Sequence, residues 1–152
     1  MATVTRGRVG AAAAADQETT GLRFLGVCLG VFLVFQGIGK LAWFTDSGPL
    51  SGALQSWLRD AGPTSRWYLE TVAIPGVPLF ARLVPLGELL GGSALLMGFW
   101  TRLAAAALFV MILNFHVASG AIFQYGFLTN AFGLPVLGGL LALTIGGGRL
   151  PW

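Results

Sequence analysis

Charge, cysteine and histidine are all scarce in this chain. Only 10% of its 152 residues are charged, against about 25% in an average soluble domain. Cys28 is the sole cysteine, which excludes an internal disulfide, a CxxC dithiol and a multi-cysteine zinc or iron–sulfur site. His116 is the sole histidine, which excludes bis-His haem ligation and a His-rich metal centre within one chain. No metal site is therefore expected. Nucleotide fingerprints of the GxGxxG or GxxxxGKS/T kind do not occur in the right setting, and no Ser/His/Asp order reads as a hydrolase. Any redox chemistry would need a cofactor borrowed from outside the chain, and no covalently bound one is expected.

What the chain has is apolar residues, 55% of the total, gathered in long runs. A helix crossing about 30 Å of hydrocarbon needs roughly 20 such residues. Four segments qualify, at about 22–43, 78–100, 102–119 and 126–145. The expected fold class is all-α, an integral four-helix membrane bundle over 21–148. Residues 1–20 read as a disordered cytoplasmic tail and 149–152 as a second tail. The first span, which holds Gln36 and Lys40, reads as a retained signal anchor. Arg6, Arg8, Arg23, Arg102 and Arg149 flank one side, which predicts N-in, C-in orientation. The nine basic residues are scattered beside apolar segments, so they point to the lipid bilayer and away from nucleic acid. Leu50, Leu54, Trp57 and Leu58 recur at helical spacing between Pro49 and Pro63, predicting a short amphipathic helix in the long first outer loop.

Glu88 lies at the centre of the second apolar segment, where an unpaired charge costs at least several kcal/mol. It shares a helical face with Ala81, Val84, Pro85, Gly91 and Gly92, small residues that favour close packing. Gly26, Gly30, Leu33, Gly37 and Lys40 form a comparable stripe on the first span. Lys40 is the expected partner of Glu88, because Arg82 lies about 120° away from Glu88 around the same helix. Asn114 and His116 stand about 200° apart, so only one of the two should face the interior, and Asn114 fits better with Ala107, Met111 and Ala118. Asn130 opens the fourth span. Pro85 and Pro135 are expected to free the carbonyls of Ala81 and Ala131 inside helices.

Three motifs, Gly37-Ile-Gly-Lys40-Leu41, Glu88-Leu-Leu-Gly91-Gly92 and Leu96-Met-Gly98-Phe-Trp-Thr101-Arg102, resemble the DoxX family. The resemblance implies a multi-pass protein of the bacterial inner membrane, akin to the small membrane subunit of thiosulfate:quinone oxidoreductase and to membrane partners of thiol and superoxide stress enzymes. On that footing the polar cluster is expected to bind a quinone or similar small amphiphile. Glu88 would be the catalytic proton donor and acceptor, with Gln36, Lys40, Arg82, Asn114, His116 and Asn130 as ligand-binding candidates. Electrons would arrive from a redox partner protein or a small reductant. Two other classes stay open: a non-catalytic scaffold for soluble redox enzymes, and a small-solute or proton-coupled carrier, which would need homo-oligomers.

Overall fold

The computed structural model describes residues 2–147, with side chains from residue 17 onward. Arg149 and the 149–152 tail lie outside the described residues, as do the side chains of Arg6 and Arg8. All regular structure among the described residues is helical. Helix α1 runs Ala2–Ile38, so helical backbone continues through the segment where composition predicts a disordered tail. The Ala11–Ala15 run supplies the reason, alanine having the highest helix propensity. A short 3-10 turn, Leu41–Phe44, follows.

Helix α2, Gly48–Asp60, occupies the first loop and buries Leu50 and Leu54. Pro63–Tyr68 forms α3 and continues into a π turn at Leu69–Ala73, a segment with no clear periodicity in sequence. Helices α4, Val77–Met97, and α5, Thr101–Ala118, are joined by a three-residue turn. Gly98 there adopts φ 67°, a left-handed conformation that glycine adopts at little cost. The amide of Phe99 donates to Ala94 O at 3.0 Å and that of Gly98 to Leu95 O at 3.2 Å, closing the helix end in a Schellman pattern. Arg23 of α1 donates to the last-turn carbonyls of Leu95 at 3.2 Å and Leu96 at 2.5 Å. It therefore ties α1 to the end of α4 besides flanking a span.

The last apolar segment departs from expectation. In place of one helix over 126–145, a single turn α6, Gly126–Thr129, is followed by a break and then by α7, Leu134–Gly146. Asn130 is extended and its Oδ1 accepts from the Phe132 amide at 2.8 Å, a local turn that competes with helix. A Cβ on Gly133 would collide with Phe127 O. Pro135 consequently stands in the first turn of α7, where a missing N–H costs nothing, and frees no interior carbonyl of Ala131. Pro85 does lie inside α4.

Helices α1, α4, α5 and α7 contact one another in the order α1–α4–α5–α7–α1. Their shared core is Leu33, Leu95, Leu108, Leu140 and Leu143. A second core, built on Leu50, Leu54, Leu69, Ala81 and Ala118, lies beneath α2 and α3. Among the described residues three helices are long and apolar enough to cross a membrane, Gln17–Ile38, Val77–Met97 and Thr101–Ala118. By contrast α7 has 13 residues, about 20 Å of helix. Phe24, Leu90, Leu103, Val110 and Ile145 are each more than 60% exposed. So many large apolar side chains turned outward on long helices mark a surface made for lipid.

Candidate functional site

Close approach of α1 to α4 creates the site. A Cβ placed on Gly30 would lie 2.8 Å from Gly92 O, and one on Gly92 2.9 Å from the Val34 amide nitrogen. Backbones this near leave no room for any side chain between them. Two turns beyond Gly30, Gly37 faces Leu89 and the Cβ of Glu88. Lys40, just past the end of α1, is thereby brought over Glu88. Its ammonium donates to Glu88 Oε1 at 2.8 Å and Oε2 at 2.9 Å. It also donates to Gln36 O at 3.2 Å and Gln36 Oε1 at 3.3 Å, and stands 5.9 Å from the ring centre of Trp43. Glu88 is 5% exposed, and among the described residues this is the one ion pair with a buried carboxylate.

The pair forms part of the wall of a cavity of about 440 Å³. That volume falls within the usual range for a small-molecule site. Gln36, Lys40, Glu88, His116 and Asn130 all reach it, together with an aromatic wall of Phe32, Trp43, Trp57 and Phe132. His116 is buried, and its Nε2 meets Phe132 O at 2.9 Å. A carbonyl only accepts, so Nε2 is the donor in this contact. The ring of His116 also packs edge-on against Phe127, 5.1 Å between centres. The cavity therefore combines a carboxylate–ammonium pair, two amides and an imidazole with aromatic walls.

Two candidates stand elsewhere. Arg82 is exposed and donates to Ser47 Oγ at 3.0 Å and to Pro78 O, so it closes no network with Glu88. Asn114 faces a second cavity, where its Oδ1 accepts from the Tyr68 hydroxyl at 2.5 Å. His116, and not Asn114, is the α5 side chain that joins Glu88. Tyr68→Phe is expected to lower stability by about 1–2 kcal/mol, since it strands a part-buried acceptor. Thermal unfolding in detergent measures it, and an unchanged midpoint would show that water replaces the hydroxyl.

Sequence reasoning missed the aromatic wall and Tyr68. Trp57 is visible on the amphipathic face of α2, but nothing in the pattern points that face at Glu88.

Long helices with large apolar side chains turned outward, and one buried ion pair among their polar residues, define a helical membrane protein. Residues 21–118 match the family model of DoxX, and the chain belongs to the DoxX family. No curated protein and no solved structure matches it.

Proposed function

We propose that this protein is the membrane subunit of a quinone-linked redox system of the bacterial inner membrane, with a quinone or similar small amphiphile bound in the Glu88 cavity. In this reading the broken α6–α7 segment completes a four-helix membrane bundle, N-in and C-in, and the cavity lies in its outer half beneath α2. The observation that carries the proposal is the cavity itself. A planar ring with two oxygens fits between aromatic side chains, the Gln36 amide can donate to a quinone oxygen, and the Glu88 carboxylate can accept from a quinol hydroxyl. Converting a quinone to a quinol takes two electrons and two protons. Glu88 would exchange the protons, and the electrons would come from a soluble partner or a small thiol-type reductant.

One observation favours a different reading. Lys40 has three protons and already meets four acceptor atoms, as a purely structural pair would. A scaffold that anchors soluble redox enzymes would need no more than that. Trp43 and Trp57 on the cavity wall make the two readings separable by fluorescence. Titrating the purified protein with a tail-less benzoquinone should give saturable tryptophan quenching, and the corresponding quinol should displace it about tenfold less well in Glu88→Gln, which lacks the carboxylate that accepts from a quinol hydroxyl. Quenching that never saturates, or displacement that is identical in the variant, would overturn the proposed role of Glu88.

A further inference from the structure

The Glu88 cavity meets its surroundings at the break between α6 and α7. Among the described residues that line it, Asn130 and Phe132 alone are exposed, and both belong to that break. The other sides, carried on α1, α2, α4 and α5, include the buried Leu33, Leu50, Glu88 and His116. Phe132 is 47% exposed while it also lines the cavity, so its side chain is what stands between inside and outside. Its ring lies 5.3 Å from that of Phe32 on α1, tilted by 52°. Such an aromatic contact can open without stranding a polar group. Leu128 and Leu134, on either side in sequence, are 56% and 48% exposed, which suits approach by a ligand dissolved in the bilayer.

Phe132 belongs to neither helix, and two side chains hold its backbone. Its amide donates to Asn130 Oδ1 at 2.8 Å, and its carbonyl accepts from His116 Nε2 at 2.9 Å. His116 is a firm anchor, being buried in the last turn of α5 and packed edge-on against Phe127 of α6. We propose that Phe132 is the door of the Glu88 cavity, and that His116 and Asn130 are positioning residues that latch it against Phe32. They would act on ligand entry and exit without touching the ligand. When a latch bond is released, the short break lets the ring swing away from α1, while the remaining walls stay on packed helices. The break itself then has a use, for an unbroken helix would lock Phe132 into a ladder of backbone bonds. This rests on the reading of the cavity as a ligand site.

Stopped-flow tryptophan quenching by the tail-less benzoquinone gives association and dissociation rates separately. Asn130 is exposed, so Asn130→Ala removes one latch bond without disturbing a packed core. Both rates are expected to rise about tenfold, the worth of one hydrogen bond, while the affinity changes by less than about threefold. Asn130→Asp keeps an acceptor for the Phe132 amide and should restore both rates. Unchanged rates would overturn the door, as would a loss of affinity carried by dissociation alone, the mark of a residue that touches the ligand. A thiol probe tests the door with no ligand present. In a Cys28→Ser background, Val136→Cys puts a thiol on the buried cavity wall. Its reaction with a small methanethiosulfonate should become about tenfold faster when Asn130→Ala is added. Leu140→Cys, one turn further along α7 and buried outside the cavity, should stay unreactive. Equal acceleration at both positions would replace the door by a general loosening of α7. Wild type that never quenches saturably, together with the expected thiol rates, would overturn the quinone reading and leave the door standing.

Discussion

Lys40→Met is expected to destabilise the protein by about 3 kcal/mol, because it leaves a buried carboxylate without its cation. Glu88 side-chain exposure is only 7%, so water cannot take over the role of the ammonium. Uptake of a proton limits the loss, since the neutral acid escapes the charge penalty while still wanting a hydrogen-bond partner. The reverse change is milder. In Glu88→Gln, Lys40 keeps both contacts to Gln36 and its 19% exposed side chain, so about 1 kcal/mol is expected from the lost pair. The double variant should lie within about 1 kcal/mol of wild type, as is usual when both partners of a buried pair are replaced by neutral groups. Unfolding of the four proteins in one detergent measures the cycle. Losses that simply add in the double variant would show that Lys40 and Glu88 do not act on each other.

The second large effect is expected at Gly30. Gly30→Val puts its Cβ 2.8 Å from Gly92 O and 3.0 Å from the Leu96 amide nitrogen, and backbone cannot rotate aside as a side chain does. The two helices must separate, at a cost of about 3 kcal/mol or more. Because the crossing also seats Lys40 over Glu88, the quenching by benzoquinone proposed above should disappear along with the stability. Gly21, with nothing within 4 Å of an added Cβ, is the control. Gly21→Ala should gain up to about 1 kcal/mol from helix propensity. Equal losses at both positions would mean that glycine in α1 matters for something other than the crossing.

Much of the fold can be read in the residues. Hydropathy locates α4 and α5 to within a few residues, and the glycine stripe of α1 indicates which face meets α4. Pairing of Lys40 with Glu88 follows from rejecting Arg82 on angular grounds, and the structure shows that pair. The break before α7 escapes such reading because hydropathy averages over residues and does not register backbone angles. Asn130, Gly133 and Pro135 each allow a helix boundary, yet only their joint geometry imposes one. The Asn114 and His116 choice fails for a different reason. About 200° apart, they cannot share one interior face, but α2 and α3 cover a second face of α5, so both are shielded in separate cavities. A helical wheel has no means of showing that a loop has become a layer.

The order of the chain gives the ion pair a further meaning. Lys40 precedes Glu88 by 48 residues, so the ribosome completes the segment that carries the cation before the one that carries the carboxylate. A carboxylate moving into hydrocarbon alone meets its full solvation penalty at that moment. Here the gap at Gly30, Gly37 and Gly92 lets the newcomer lie directly against its predecessor, and the three-residue turn lets α4 and α5 enter as a hairpin. Biogenesis and final packing would then draw on the same contact, and a defect there is expected to appear first as failed insertion.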